Sequence, residues 1–116
     1  MSAPLAWPTM DLLGRHTTLA GHPLLHLSGE VDLATLPLLH DHLHRLVNHN
    51  PAQVVYVDLD GLVALDDTGL GMFLGAAGLA RSLGGDMVLV CTGERLLSRF
   101  ALCGLDRAVA VVPRAV

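Results

Sequence analysis

A valine-rich apolar run, Val54 to Leu59, is followed within seven residues by two adjacent carboxylates and a glycine-spaced apolar stretch, Asp66-Asp67-Thr68-Gly69-Leu70-Gly71. Such a run is the mark of a strand at the centre of a sheet, covered on both faces. Two acids ahead of an apolar stretch mark a helix start, where unpaired N–H groups and the positive end of the dipole favour negative charge by ~0.3–1 kcal/mol at exposed sites. A central strand leading into a helix requires a crossover connection, which commits the chain to an α/β layer architecture. The same corner is a candidate control point, because anions are favoured there.

The rest of the chain fits that frame. Residues 1–14, with Pro4 and Pro8, read as an N-terminal arm with at most one short strand, and 114–116 as a tail; the domain is expected over 15–113. Arg15 to Ala20 and Leu24 to Glu30 read as two strands around the turn Gly21-His22-Pro23, with Leu25, Leu27 and Gly29 on one face. From Thr35 the period changes: Leu36, Leu39, Leu43, Leu46 and Val47 predict a helix over 35–48, with Thr35 as N-cap and Pro37 in the first turn. Gln53 to Leu59 is the central strand, and Thr68 to Leu83 a second helix closed by Gly84-Gly85. Met87 to Cys91 is a strand, Glu94 to Leu102 a third helix with Leu96, Leu97, Phe100 and Ala101 inward, and Ala108 to Val112 a last strand. The expectation is a single α/β domain with a mixed sheet of four to five strands and packed helices.

At 116 residues the chain is long enough for one core without disulfide or metal support. Only 3% of residues are aromatic, so that core must be built from Leu, Val and Ala. The net charge is −4 and the seven basic residues are all arginines, at 15, 45, 81, 95, 99, 107 and 114, without a cluster. Nucleic acid is therefore not expected as a partner, since phosphate neutralisation needs a concentrated basic face. Without lysine, Schiff-base and P-loop chemistry have no carrier. Cys91 and Cys103 lack CxxC spacing and read as small apolar fillers, no segment resembles a signal peptide, and a cytoplasmic location with reduced thiols is expected. No apolar stretch reaches the ~18 residues needed to span a bilayer.

Three motifs invite chemistry. Asp58-Leu59-Asp60-Gly61 resembles the DxDG opening of haloacid-dehalogenase-type phosphatases, in which the first Asp is a nucleophile at a strand end. Leu62 stands where that motif has Thr, and the later lysine is lacking, so a strand ending in a solvated acidic turn is the plainer reading. Gly69-Leu70-Gly71-Met72-Phe73-Leu74-Gly75 echoes a dinucleotide fingerprint, but its spacing is one residue too long and two carboxylates precede it; Gly75 and Gly78 are read instead as letting the helix approach the sheet. His40 and His44 lie one helical turn apart with His42 pointing elsewhere, a solvated face rather than a metal site. Protonation of all seven histidines would move the net charge from −4 to +3. No metal or cofactor is expected. Asp32 and Glu94 read as ordinary acids at helix starts.

Taken together, Leu27-Ser28-Gly29-Glu30-Val31-Asp32-Leu33-Ala34-Thr35, Val54 to Leu59, Leu65-Asp66-Asp67-Thr68-Gly69-Leu70-Gly71 and Cys103-Gly104-Leu105-Asp106-Arg107 resemble a STAS domain, closest to the bacterial anti-sigma factor antagonists. The resemblance covers residues 15 to 113. It implies a small cytoplasmic binding module without catalytic activity that, when unphosphorylated, binds an anti-sigma factor with serine kinase activity and so frees a sigma factor. It also implies inactivation by phosphorylation of a serine that directly follows the motif aspartate. A STAS subunit of another signalling or transporter assembly is the alternative within binding modules, and a small phosphatase at Asp58 and Asp60 the alternative among enzymes.

Matched residue by residue, the motif aspartate is Asp66 and the phosphoacceptor position holds Asp67. A carboxylate brings one charge where phosphoserine brings about −1.5 to −2, so mimicry is partial. Asp67 makes the chain either a constitutive antagonist or one locked in a phospho-like state. Thr68 supplies a neighbouring hydroxyl, as substitute acceptor or as helix cap. The expected binding surface is Asp66, Asp67, Thr68 and Gly69, flanked by Asp32, Gly71 and Met72.

Overall fold

The computed structural model describes residues 11–114; residues 1–10 of the expected arm and residues 115–116 lie outside the described residues. Five strands, β1 (Leu13–Leu19), β2 (His22–Val31), β3 (Val54–Leu65), β4 (Asp86–Val90) and β5 (Ala110–Val112), form one sheet in the order β1-β2-β3-β4-β5. The first pair is antiparallel and the others are parallel. Four helices complete the fold: α1 (Leu36–Asn48), α2 (Asp67–Ser82), α3 (Glu94–Cys103) and the single turn α4 (Leu105–Ala108). Because the parallel strands follow one another in a single direction across the sheet, right-handed crossovers bring α1 and α2 side by side onto the same face.

That face is the core. Leu25, Leu27, Val55, Val57, Leu59, Met87 and Leu89 point from alternate strand positions at Leu39, Leu43, Leu46 and Val47 of α1 and at Phe73, Ala76, Ala77 and Ala80 of α2. The alanines let α2 lie close to the sheet, and Phe73 and Phe100 fill the space that remains; each buried large apolar side chain is worth ~1.5–3 kcal/mol. The opposite face carries His22, His26, Tyr56 and Asp58.

Several boundaries differ from expectation for identifiable reasons. The hairpin turns at Ala20-Gly21, one residue earlier than expected, with both residues at positive φ (51° and 85°), the geometry of a two-residue type I′ loop, so Pro23 lies inside β2 opposite Thr18. β1 begins at Leu13, inside the expected arm. β3 does not stop at Leu59 but runs to Leu65, through an irregular stretch of pairing with β2. Gly61 makes this continuation feasible, since a Cβ there would lie 2.6 Å from the Leu27 carbonyl oxygen. Gly104, at φ 79°, ends α3 as expected, but α4 then occupies 105–108 and the last strand starts only at Ala110.

Three side-chain placements are also corrected. Ala101 is exposed, because α3 lies at the margin of the layer and only Phe100 is fully buried on it. Cys91 is buried, with its thiol pushed up chiefly by desolvation, but Cys103 is exposed and fills nothing. A Cβ at Gly71, Gly75 or Gly78 would meet nothing within 4 Å, so these glycines line the outer flank of α2 and do not mediate its approach to the sheet.

Candidate functional site

The two β-to-α corners at the C-terminal edge of the sheet lie next to each other, since Val31 ends β2 opposite Leu65 at the end of β3. At the first, the Asp32 carboxylate accepts from the Thr35 N–H at 3.0 Å. The buried Thr35 hydroxyl donates to the Glu30 carbonyl at 2.8 Å and accepts from the Asp32 N–H at 3.0 Å. Thr35 thus stands at the cap position of α1 without bonding forward into the helix; its hydroxyl closes the loop behind it.

The second corner begins with the Asp66 N–H donating to the Val31 carbonyl at 3.2 Å, which carries the sheet pairing to the edge of α2. Asp66 takes the extended conformation of an N-cap, and its carboxylate accepts from the Gly69 N–H at 3.0 Å. Asp66, not Thr68, therefore caps this helix. Gly69 is buried beneath the cap, where a Cβ would lie 2.6 Å from Val31 Cγ1 and 2.7 Å from Leu65 Cδ1. Thr68 is exposed and makes no side-chain hydrogen bond within the described residues. Gly71 is exposed on the outer flank, and Met72 packs half-buried against the core. The cap Asp66 and the five α2 residues Asp67, Thr68, Gly69, Gly71 and Met72, with Asp32 beside them, thus lie at one edge.

Asp67 projects outward from the first turn of α2, with its side chain 95% exposed. It is not alone: Arg99 Nη2, on α3, donates to Asp67 Oδ1 at 2.9 Å, and Arg99 Nη1 donates to the Leu65 carbonyl oxygen. Sequence inspection missed Arg99. It lies 32 residues from Asp67, and nothing local to α3 signals the contact.

The enzyme-like motifs dissolve in the same geometry. Asp58 and Asp60 lie within β3, not at a strand end. The buried Asp58 carboxylate contacts His26 Nδ1 at 3.0 Å and Arg114 Nη1 at 3.4 Å, and accepts from the Asp60 N–H at 2.9 Å. The Asp60 carboxylate accepts from the Thr92 N–H and hydroxyl at 2.7 and 3.0 Å. Both acids are thus consumed in tying strands and tail together. The start of α2 disfavours a pyrophosphate, since the Asp66 carboxylate takes the Gly69 N–H and the Asp67 carboxylate stands beside it. The rings of His40 and His44 stack at 3.9 Å while His42 turns to His16, and no group of three metal-ligating side chains occurs among the described residues.

The STAS domain family matches residues 16–114. The chain belongs to the STAS-domain family. It is 30% identical over 87 residues to the anti-sigma-B factor antagonist of Bacillus subtilis, covering 75% of this chain and 78% of that one. Among solved structures it is similar in fold to an anti-sigma factor antagonist from Mycobacterium paratuberculosis, with a TM-score of 0.80 at 23% identity over 98% of this chain and 92% of the other. It also superposes on the anti-sigma factor antagonist SpoIIAA in its unphosphorylated form, with a TM-score of 0.71 at 14% identity over 89% of each chain. The STAS chain described here thus falls among the anti-sigma factor antagonists, non-enzymatic partner-switching regulators. No helix among its described residues is long and apolar enough to cross a membrane.

Proposed function

We propose that this STAS protein is a cytoplasmic anti-sigma factor antagonist that binds an anti-sigma factor with serine kinase activity through the β3–α2 corner, and so frees a sigma factor. Asp67 occupies the position of the phosphoaccepting serine. The observation that carries this reading is the division of labour at the corner. Asp66 is committed to capping α2, while the next side chain projects into solvent with no role in the cap, the placement a kinase or a docking partner requires. The name of the Bacillus subtilis relative supplies the partner class. Thr68, exposed beside it, carries the hydroxyl that position 67 lacks and is the alternative acceptor.

The test is a binding titration against purified histidine-kinase-like anti-sigma factors, with the anti-sigma-B factor of Bacillus subtilis in the set. The natural chain and Asp67→Ser are expected to bind the same factor, and with ATP only Asp67→Ser is expected to gain phosphate at position 67. If neither chain binds any factor, the reading is wrong. Intact-mass analysis of the natural chain after incubation with kinase and ATP reports on Thr68 directly.

A further inference from the structure

An aspartate at a phosphoacceptor position poses a question of sign. Counting Asp66, Asp67 and Arg99, the corner carries one net negative charge. With serine at 67 it would carry none, and with phosphoserine about −1.5 to −2. The same chain without Arg99 would carry two, the charge of a phosphorylated corner. Arg99 therefore keeps the corner with its permanent carboxylate one charge short of that state.

Most exposed ion pairs do little, because two long side chains must be ordered to make them. Arg99 differs in being held independently of Asp67. Its guanidinium donates to the carbonyl of Leu65, the last residue of β3, and its side chain is only 34% exposed along a cleft of about 570 Å3 between α3 and the end of β3. The second arm of the same planar fork reaches Asp67. The cation is thus anchored by a contact in which Asp67 takes no part.

We propose that Arg99 is a built-in counter-ion for position 67, which keeps the docking corner in its binding-competent state although the residue there is permanently charged. The proposal rests on the antagonist function proposed above and selects the constitutive antagonist over the phospho-locked one. The partner surface it fits is one that tolerates a neutralised ion pair at the start of α2 and rejects a bare carboxylate.

Two measurements test it. In the chain alone, Asp67→Asn is expected to shift the Arg99 side-chain N–H resonances in 1H–15N spectra; unmoved resonances would mean that the pair does not form in solution, and the proposal falls. In titrations against the anti-sigma factor that binds the natural chain, Arg99→Gln is expected to weaken binding about tenfold or more, the scale of an uncompensated like-charge contact. Asp67→Asn should stay within about threefold of the natural chain, and the double variant Asp67→Asn/Arg99→Gln should return to that range. Unchanged or tighter binding by Arg99→Gln overturns the proposal. Equal losses in Arg99→Gln and the double variant overturn it too, by assigning the effect to the Leu65 carbonyl contact. If no factor binds the natural chain or Asp67→Ser, the docking reading itself fails, and the resonance shift separately reports whether the pair exists.

Discussion

The two β-to-α corners use one device for different ends. In each, an aspartate accepts from the N–H three residues ahead, Asp32 from Thr35 and Asp66 from Gly69, both at 3.0 Å. The first corner is closed on itself, with every polar atom of Thr35 engaged and its side chain buried. The second adds an outward carboxylate that the cap does not need, balanced by an arginine from another helix. Local chemistry builds a corner, and a residue surplus to that chemistry is what remains for a partner to read.

The sharpest way to break this comparison is to attack the packing beneath the second corner. Gly69→Ala places a methyl within 2.7 Å of Val31 and Leu65 side-chain atoms, and is expected to lower unfolding free energy by about 1–3 kcal/mol in denaturant titration. A neutral result would mean that α2 can slide outward freely. At the first corner, Thr35→Val removes the acceptor for the Asp32 N–H and the donor to the Glu30 carbonyl, and should cost about 1–3 kcal/mol by the same assay. Asp66→Ala loses only the cap, about 1 kcal/mol. Asp67→Ala should change stability by less than about 0.5 kcal/mol; a large stability loss would show that Asp67 is structural and erase the distinction between the corners.

The smallest effect concerns pH and falls where β1 meets α1. His16 Nε2 meets His42 Nδ1 at 3.2 Å, and desolvation, then His42, Arg45 and His49, hold the His16 ring below its usual value of 6.5. The unfolded chain therefore takes up this proton more readily than the folded one. The stabilising contribution is fully present above pH 6.5 and is lost as pH falls from there through the lowered folded value. Natural chain and His16→Gln, melted between pH 7.5 and 5.5, should differ in slope, with the variant flatter; parallel curves would remove His16 as the cause.

Much of this fold was legible because periodicity speaks for burial. Leu36, Leu39, Leu43, Leu46 and Val47 are all buried as their spacing required, and Gly104 stops α3 in a left-handed conformation. Asp60-Gly61 misled because its turn chemistry is local, whereas its role is not: the Asp60 carboxylate is claimed by Thr92, and Gly61 makes room for the β2 backbone. Asp66 to Met72 lie together because they are near neighbours in the chain, and Asp32 joins them through the pairing of Val31 with Leu65. Arg99 could not be read in advance, because a contact spanning 32 residues depends on how α3 lies against the end of β3.

The outer flank of α2 has one more property. Gly71, Gly75 and Gly78 face open space, and each costs the helix about 0.8–1.0 kcal/mol relative to alanine with no internal packing in return. That flank therefore leaves main-chain atoms bare, and at Gly75 it borders a cleft shared with His40, Leu43 and His44 of α1. Beside a charge-balanced rim at Asp67 and Arg99, the helix offers relief as well as electrostatics: a contour cut by missing side chains, with stability left in reserve for anyone who fills it with methyl groups.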